Sequence, residues 1–137
     1  MKANMNANDR RNYNILLVED NEVNRLVIAA QLEVLGYVVD IAENGTQGLE
    51  KWEKGTFDLI LTDCQMPDID GFEMTEVLRK QEKVQKTSRI PIIAITASAL
   101  QGEFERCLAA GMDAYLPKPV ELAQLKERLE TWLPQSS

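Results

Sequence analysis

Phe57-Asp58-Leu59-Ile60-Leu61-Thr62-Asp63, followed by Met66-Pro67-Asp68-Ile69-Asp70-Gly71, joins a strand signal to a turn signal at a carboxylate. Its apolar core (Leu59, Ile60, Leu61) is unbroken and then stops at a carboxylate and a turn-rich segment. An unbroken run is the pattern of a parallel strand covered on both faces, whereas a half-solvated strand alternates. Residues 15–18 and 92–95 read the same way. Strands are predicted at 13–18, 38–42, 57–62, 92–96 and 114–116, with helices at 23–35, 45–53, 72–84, 100–110 and 121–133. Gly36 and Gly111 end the first and fourth helices, and Pro91 opens the fourth strand, where a missing N–H is tolerated. Strict alternation of five strands and five helices predicts an α/β fold, a (βα)5 doubly wound five-stranded parallel sheet in the flavodoxin-like order 2-1-3-4-5.

The 137 residues bound one domain, placed at 13–133, with a polar Asn-rich linker or disordered lead-in at 1–12 and a tail at 134–137. Acidic residues outnumber basic ones 22 to 15, which disfavours direct contact with nucleic acid or an anionic membrane. With no apolar run near the ~20 residues of a membrane span and no signal-peptide pattern, a cytoplasmic location is expected. Cys64 and Cys107 lack metal-ligand spacing and are expected to be reduced thiols. The chain contains no histidine, which removes histidine acid/base chemistry, histidine metal ligation and phosphohistidine formation from it.

These strands bring five polar groups to one rim of the sheet. Glu19 and Asp20 follow strand one, Asp63 follows strand three, Thr96 ends strand four and Lys118 follows strand five. Ligands of open α/β sheets bind outside the carboxyl ends of the strands, where strands one and three are neighbours. Two carboxylates ~4 Å apart repel by about 4 kcal/mol at an effective dielectric near 20, so the cluster must bind a cation or hold a proton. Oxygen ligands alone call for a hard cation, and magnesium (Mg²⁺) fits best. Such a site suits phosphoryl chemistry, with Lys118 as a second cation, Thr96 as a hydroxyl donor and Asp63 as the nucleophile.

Four motifs in order, Leu17-Val18-Glu19-Asp20-Asn21, Leu61-Thr62-Asp63 with Met66-Pro67-Asp68-Ile69-Asp70-Gly71, Ile95-Thr96-Ala97 and Lys118-Pro119, resemble the receiver domain of two-component response regulators. The resemblance covers about residues 14–133. It implies that Asp63 is the phosphoacceptor and that Asp20, Asp63 and the backbone carbonyl of Gln65 ligate Mg²⁺, with Glu19 acting through water. Many receivers carry Asp where this chain has Glu19. It further implies that Lys118 pairs with the phosphoryl group, that the Lys118–Pro119 peptide is cis, that Thr96 and Tyr115 form the switch, and that Gln65 and Ser98 tune hydrolysis. A receiver catalyses its own phosphorylation and dephosphorylation and is not a stand-alone turnover enzyme.

The first helix carries two apolar stripes at 100° per residue. Ile28, Leu32 and Leu35 form the core stripe; Val23, Leu26, Val27, Ala30 and Val34 form a second, expected to be exposed and to dock a partner. Glu19-Asp20-Asn21 with Asn24-Arg25, Leu32 and Leu35-Gly36 looks like receivers of hybrid sensor histidine kinases. That resemblance implies a donor on a kinase dimerisation domain or a histidine phosphotransfer domain. The polar lead-in and short tail suit excision from such a kinase. Alternatives are a free-standing single-domain regulator, a receiver used purely for binding, and a Mg²⁺-dependent Asp-nucleophile phosphatase, whose Asp-x-Asp motif after strand one is here Glu-Asp-Asn. A flavodoxin-like FMN carrier shares the sheet order, but Glu19-Asp20 would repel the FMN phosphate.

Overall fold

A computed structural model describes residues 13–97 and 101–133. The expectations for 1–12 and 134–137, for Ser98 and for Leu100 lie outside the described residues. The elements are β1 (Asn14–Val18), α1 (Glu22–Val34), β2 (Val38–Ala42), α2 (Gly45–Lys54), β3 (Leu59–Asp63), α3 (Gly71–Gln85), β4 (Ile92–Thr96), α4 (Gln101–Ala110), β5 (Ala114–Pro117) and α5 (Leu122–Trp132). All strand pairs are parallel and the order is β2-β1-β3-β4-β5, as the alternation predicts. The third strand starts later than expected, because the Asp58 carboxylate turns back to accept the Asn14 N–H at 2.7 Å. It also ends later, on Asp63 itself.

The sheet divides two cores. Ile15, Leu17, Leu59, Leu61, Ile93 and Ile95 face one way and pack on Ile28 and Leu32 of α1 and on Leu125 and Leu129 of α5. Leu16, Val18, Ile60, Ile92 and Ala94 face the other way, toward Met74 and Leu78 of α3 and Cys107 and Ala110 of α4. Each such Leu or Ile contributes roughly 2 kcal/mol of transfer free energy, and this is what the unbroken apolar runs encode. Both helix-ending glycines take left-handed φ, 96° at Gly36 and 107° at Gly111. Among the described residues no helix is long and apolar enough to cross a membrane.

The amino ends of the strands are fastened by a polar network. Pro91 has no N–H, and its neighbours Ile90 and Ile92 donate theirs to Glu82 Oε2 (2.8 Å) and Asp113 Oδ2 (2.9 Å). Arg79 bridges these carboxylates, giving Nη1 to Glu82 at 2.8 Å, Nη2 to Asp113 at 3.0 Å and Nε to the Gly111 carbonyl at 2.9 Å. Arg89 adds bonds to Asp113 and the same carbonyl. Removing one partner of a buried pair leaves the others desolvated and uncompensated. Glu82→Ala is therefore expected to lower stability by about 3 kcal/mol in urea denaturation, and a loss below about 1 kcal/mol would contradict this account.

Candidate functional site

At the carboxyl ends of the strands, register does the positioning. Val18 pairs with Thr62, so Glu19 stands level with Asp63, and Asp63 in turn pairs with Ile95, one residue before Thr96. Thr96 pairs with Pro117, which places Lys118 one step further along. One carboxylate oxygen each from Glu19, Asp20 and Asp63 lies within 4.8 Å of the others. Lys118 Nζ donates to Asp63 Oδ2 at 3.0 Å and stands 3.4 Å from Glu19 Oε1. The Gln65 N–H donates to Asp63 Oδ1 at 3.2 Å, so both oxygens of Asp63 are held. The Lys118–Pro119 peptide is cis, as the resemblance implies.

Local sequence fixes the loops around this rim. Asn21 caps α1, accepting the Asn24 N–H, and its own N–H donates to Glu19 Oε2 at 3.1 Å. Asp70 caps α3 in the same way. A Cβ on Gly71 would run into the Asp63 carbonyl, so only glycine lets the β3–α3 loop close against the strand end.

The rim is electrostatically unbalanced. Glu19 is fully buried, and among the described residues its Oε1 has no hydrogen-bond partner beyond the 3.4 Å ion pair with Lys118. Burial, and then the neighbouring charge of Asp63, push its carboxyl up to about 7, against the lowering influence of the Asn21 N–H and Lys118. Burial alone would lower Lys118, but its bond to Asp63 and the two carboxylate charges outweigh that and raise it. One lysine for three carboxylates leaves room for another cation. A buried carboxylate oxygen met only by the 3.4 Å ion pair with Lys118, in an all-oxygen donor set with Asp20 exposed to water, fits Mg²⁺.

Each residue expected at the site can now be placed. Glu19, Asp20, Asp63 and Lys118 come together; Thr96 is buried at the end of β4, and the exposed Gln65 lies two residues past the end of β3. Tyr115 is half-buried, its ring centroid 4.8 Å from that of Phe104 on α4. Val23, Leu26, Val27, Ala30 and Val34 are all exposed, at 66% for Val23 and 74% for Val34, so among the described residues the second stripe is largely open to solvent. Two features went unread in the sequence. Arg25 Nη1 donates to the carbonyls of Glu19 (3.2 Å) and Asp20 (3.1 Å). The free thiols of Cys64 and Cys107 meet at 3.9 Å, both buried and both raised by burial. Neither had a spacing signal, since both arise from tertiary approach. A cleft of about 580 Å³ between the carboxyl ends of α3 and α4, lined by Arg79, Glu82, Lys83, Lys86 and Arg89, contains none of the rim groups.

Residues 15–130 match the response regulator receiver domain family. The chain is 36% identical to "Probable histidine kinase 1" of Oryza sativa subsp. indica over 88% of its own length, and spans 15% of that relative. Among solved structures, the receiver domain of sensor histidine kinase PA1611 from Pseudomonas aeruginosa PAO1, with a magnesium ion coordinated in its active site cleft, is 48% identical with TM-score 0.79, covering 88% of this chain and 96% of that one. The receiver domain of Ssk1 from Saccharomyces cerevisiae, crystallised with the histidine phosphotransfer protein Ypd1, is 31% identical with TM-score 0.84, covering 88% of each.

The raised Glu19 carboxyl has a stability consequence in metal-free protein. Its folded value lies above its unfolded one, so the native state binds the extra proton and stability falls as pH rises from about 4.5 to about 7. Glu19→Gln, which mimics the protonated form, is expected to stabilise the metal-free chain at pH 8 by up to about 3 kcal/mol and to be near neutral at pH 4. Denaturation at the two pH values checks this; equal effects at both would contradict it.

Proposed function

The chain belongs to the response regulator receiver domain family, and on that premise we propose that Asp63 accepts a phosphoryl group in a two-component phosphorelay. The donor is a phosphohistidine on a separate domain or chain, because this sequence contains no histidine. An Asp63 carboxylate oxygen bonds to phosphorus while the phosphorus–nitrogen bond breaks, and that electron pair returns to the donor's imidazole. Mg²⁺ held by Asp20, Asp63 and the Gln65 carbonyl, with Glu19 acting through water, would neutralise charge on the phosphoryl oxygens.

The observation that most supports this reading is the Asp63 carboxylate gripped at both oxygens at a rim it shares with Glu19, Asp20 and Lys118. A carboxylate so fixed is already oriented for attack. Lys118 stays protonated and follows the charge onto the phosphoryl oxygens. Thr96 adds a hydroxyl donor. The modification adds about −1.5 to −2 charge units at a largely buried position. Thr96 and Tyr115 answer it by moving inward, which changes the surface of α4, β5 and α5.

The exposed α1 stripe beside this rim is the docking surface for the donor, a kinase dimerisation domain or a histidine phosphotransfer domain. The Ssk1 receiver crystallised with Ypd1 supports that choice of partner class. Similarity to histidine kinases of which the chain spans a small part supports an origin in a hybrid sensor histidine kinase.

Incubation with acetyl phosphate and Mg²⁺ is expected to add one phosphoryl group to the intact mass. Asp63→Asn or metal removal should abolish the gain, and labelling that survives in Asp63→Asn would overturn the assignment. Val23→Asp or Val27→Asp is expected to slow transfer from a phosphorylated histidine phosphotransfer domain about tenfold or more while sparing acetyl phosphate labelling. Equal slowing by both donors would remove the docking role.

A further inference from the structure

We propose that Arg25 is a positioning residue that shapes the Glu19–Asp20 turn for cation binding. The proposal rests on the reading of Glu19, Asp20 and Asp63 as a Mg²⁺ site. Consecutive side chains of an extended strand point to opposite faces of the sheet, and consecutive carbonyls point sideways to opposite edges of the strand. Adjacent residues leaving β1 in extended form would therefore aim only one carboxylate at Asp63. Here both do, within 4.8 Å. The chain bends at Asp20, and the carbonyls of Glu19 and Asp20 converge on a single nitrogen, Arg25 Nη1, at 3.2 and 3.1 Å. Two N–H groups on one planar, permanently charged nitrogen hold the two carbonyls in that bend.

Arg25 and Lys118 are both cations beside the same cluster, yet they touch different atoms. Lys118 meets carboxylates, whereas Arg25 meets the backbone that carries them. Arg25 also belongs to the first turn of α1, its own N–H bonding the Asn21 carbonyl, while the Asn21 N–H holds Glu19 Oε2. The acidic turn and the helix start thus form one closed unit. The Asn21 cap does not depend on the Arg25 side chain. Loss of that side chain leaves the helix capped and frees the turn.

A sign difference tests this. If Arg25 acted only as a nearby positive charge, removing it would tighten binding of a divalent cation. If it shapes the turn, removing it weakens binding. Calorimetric titration of the chain with MgCl₂ is expected to show about tenfold weaker affinity in R25A and a smaller loss in R25K, which keeps the charge and some of the donors. Acetyl phosphate labelling of R25A should return to the wild-type rate at saturating Mg²⁺, and thermal melting should confirm that R25A is folded. If R25A fails to fold, R25K and R25Q carry the same comparison. Affinity that is unchanged or tighter, or a labelling defect that persists at saturating Mg²⁺, overturns the Arg25 role alone. Failure of the wild-type chain to bind Mg²⁺ at all overturns the metal-site reading and Arg25's role with it.

Discussion

Three carboxylates crowd one rim, with Lys118 on their oxygens and Arg25 on the backbone behind them, and the fold around them is organised by that crowding. Parallel register sets Glu19 level with Asp63, and the bend at Asp20 turns a third oxygen toward them. Contacts within the rim offset its charge only in part: Lys118 and the Asn21 and Gln65 N–H groups hold Glu19 and Asp63, yet Glu19 is buried and its charge is costly enough to hold a proton near neutrality. The arrangement persists because two hydrophobic layers, one on each face of β1, β3 and β4, hold the strand ends where they are. Stability produced in the cores is spent at the rim, a pattern common where a site must be ready for a ligand before it arrives.

Much of this was legible in the sequence. Unbroken runs at residues 15–18, 59–61 and 92–95 stated burial on both faces, and with alternating helices that leaves few topologies. Strand ends then indicated which polar residues converge, because chain direction and sheet side are shared by all five strands. The α1 stripes were separable because 100° per residue is a fixed geometry, and the exposure of Val23 and Val34 follows it.

What stayed hidden needs two segments to meet at atomic distance. Asp58 interrupts an otherwise continuous strand pattern because its carboxylate finds the Asn14 N–H, a partner 44 residues away. Arg25 reads as an ordinary exposed helix residue until the bend of the preceding turn is seen. The chain's two cysteines are 43 residues apart, and no local spacing foretells that they touch. Periodicity reports which face a residue occupies; it carries no information about which atom stands opposite.

The two ends of the sheet are built to opposite specifications. At the amino end, Glu82 and Asp113 have their charges matched by Arg79 and Arg89 and their oxygens taken by strand N–H groups. That clamp also grips the Gly111 carbonyl, the residue immediately after α4. One end of α4 is thus anchored to α3 and the β4 entry, while its other end points toward the live rim. The carboxyl end of α4 is tied through Gly111 to the residues that hold the entry of β4, so loosening the Arg79 clamp would loosen helix and strand together.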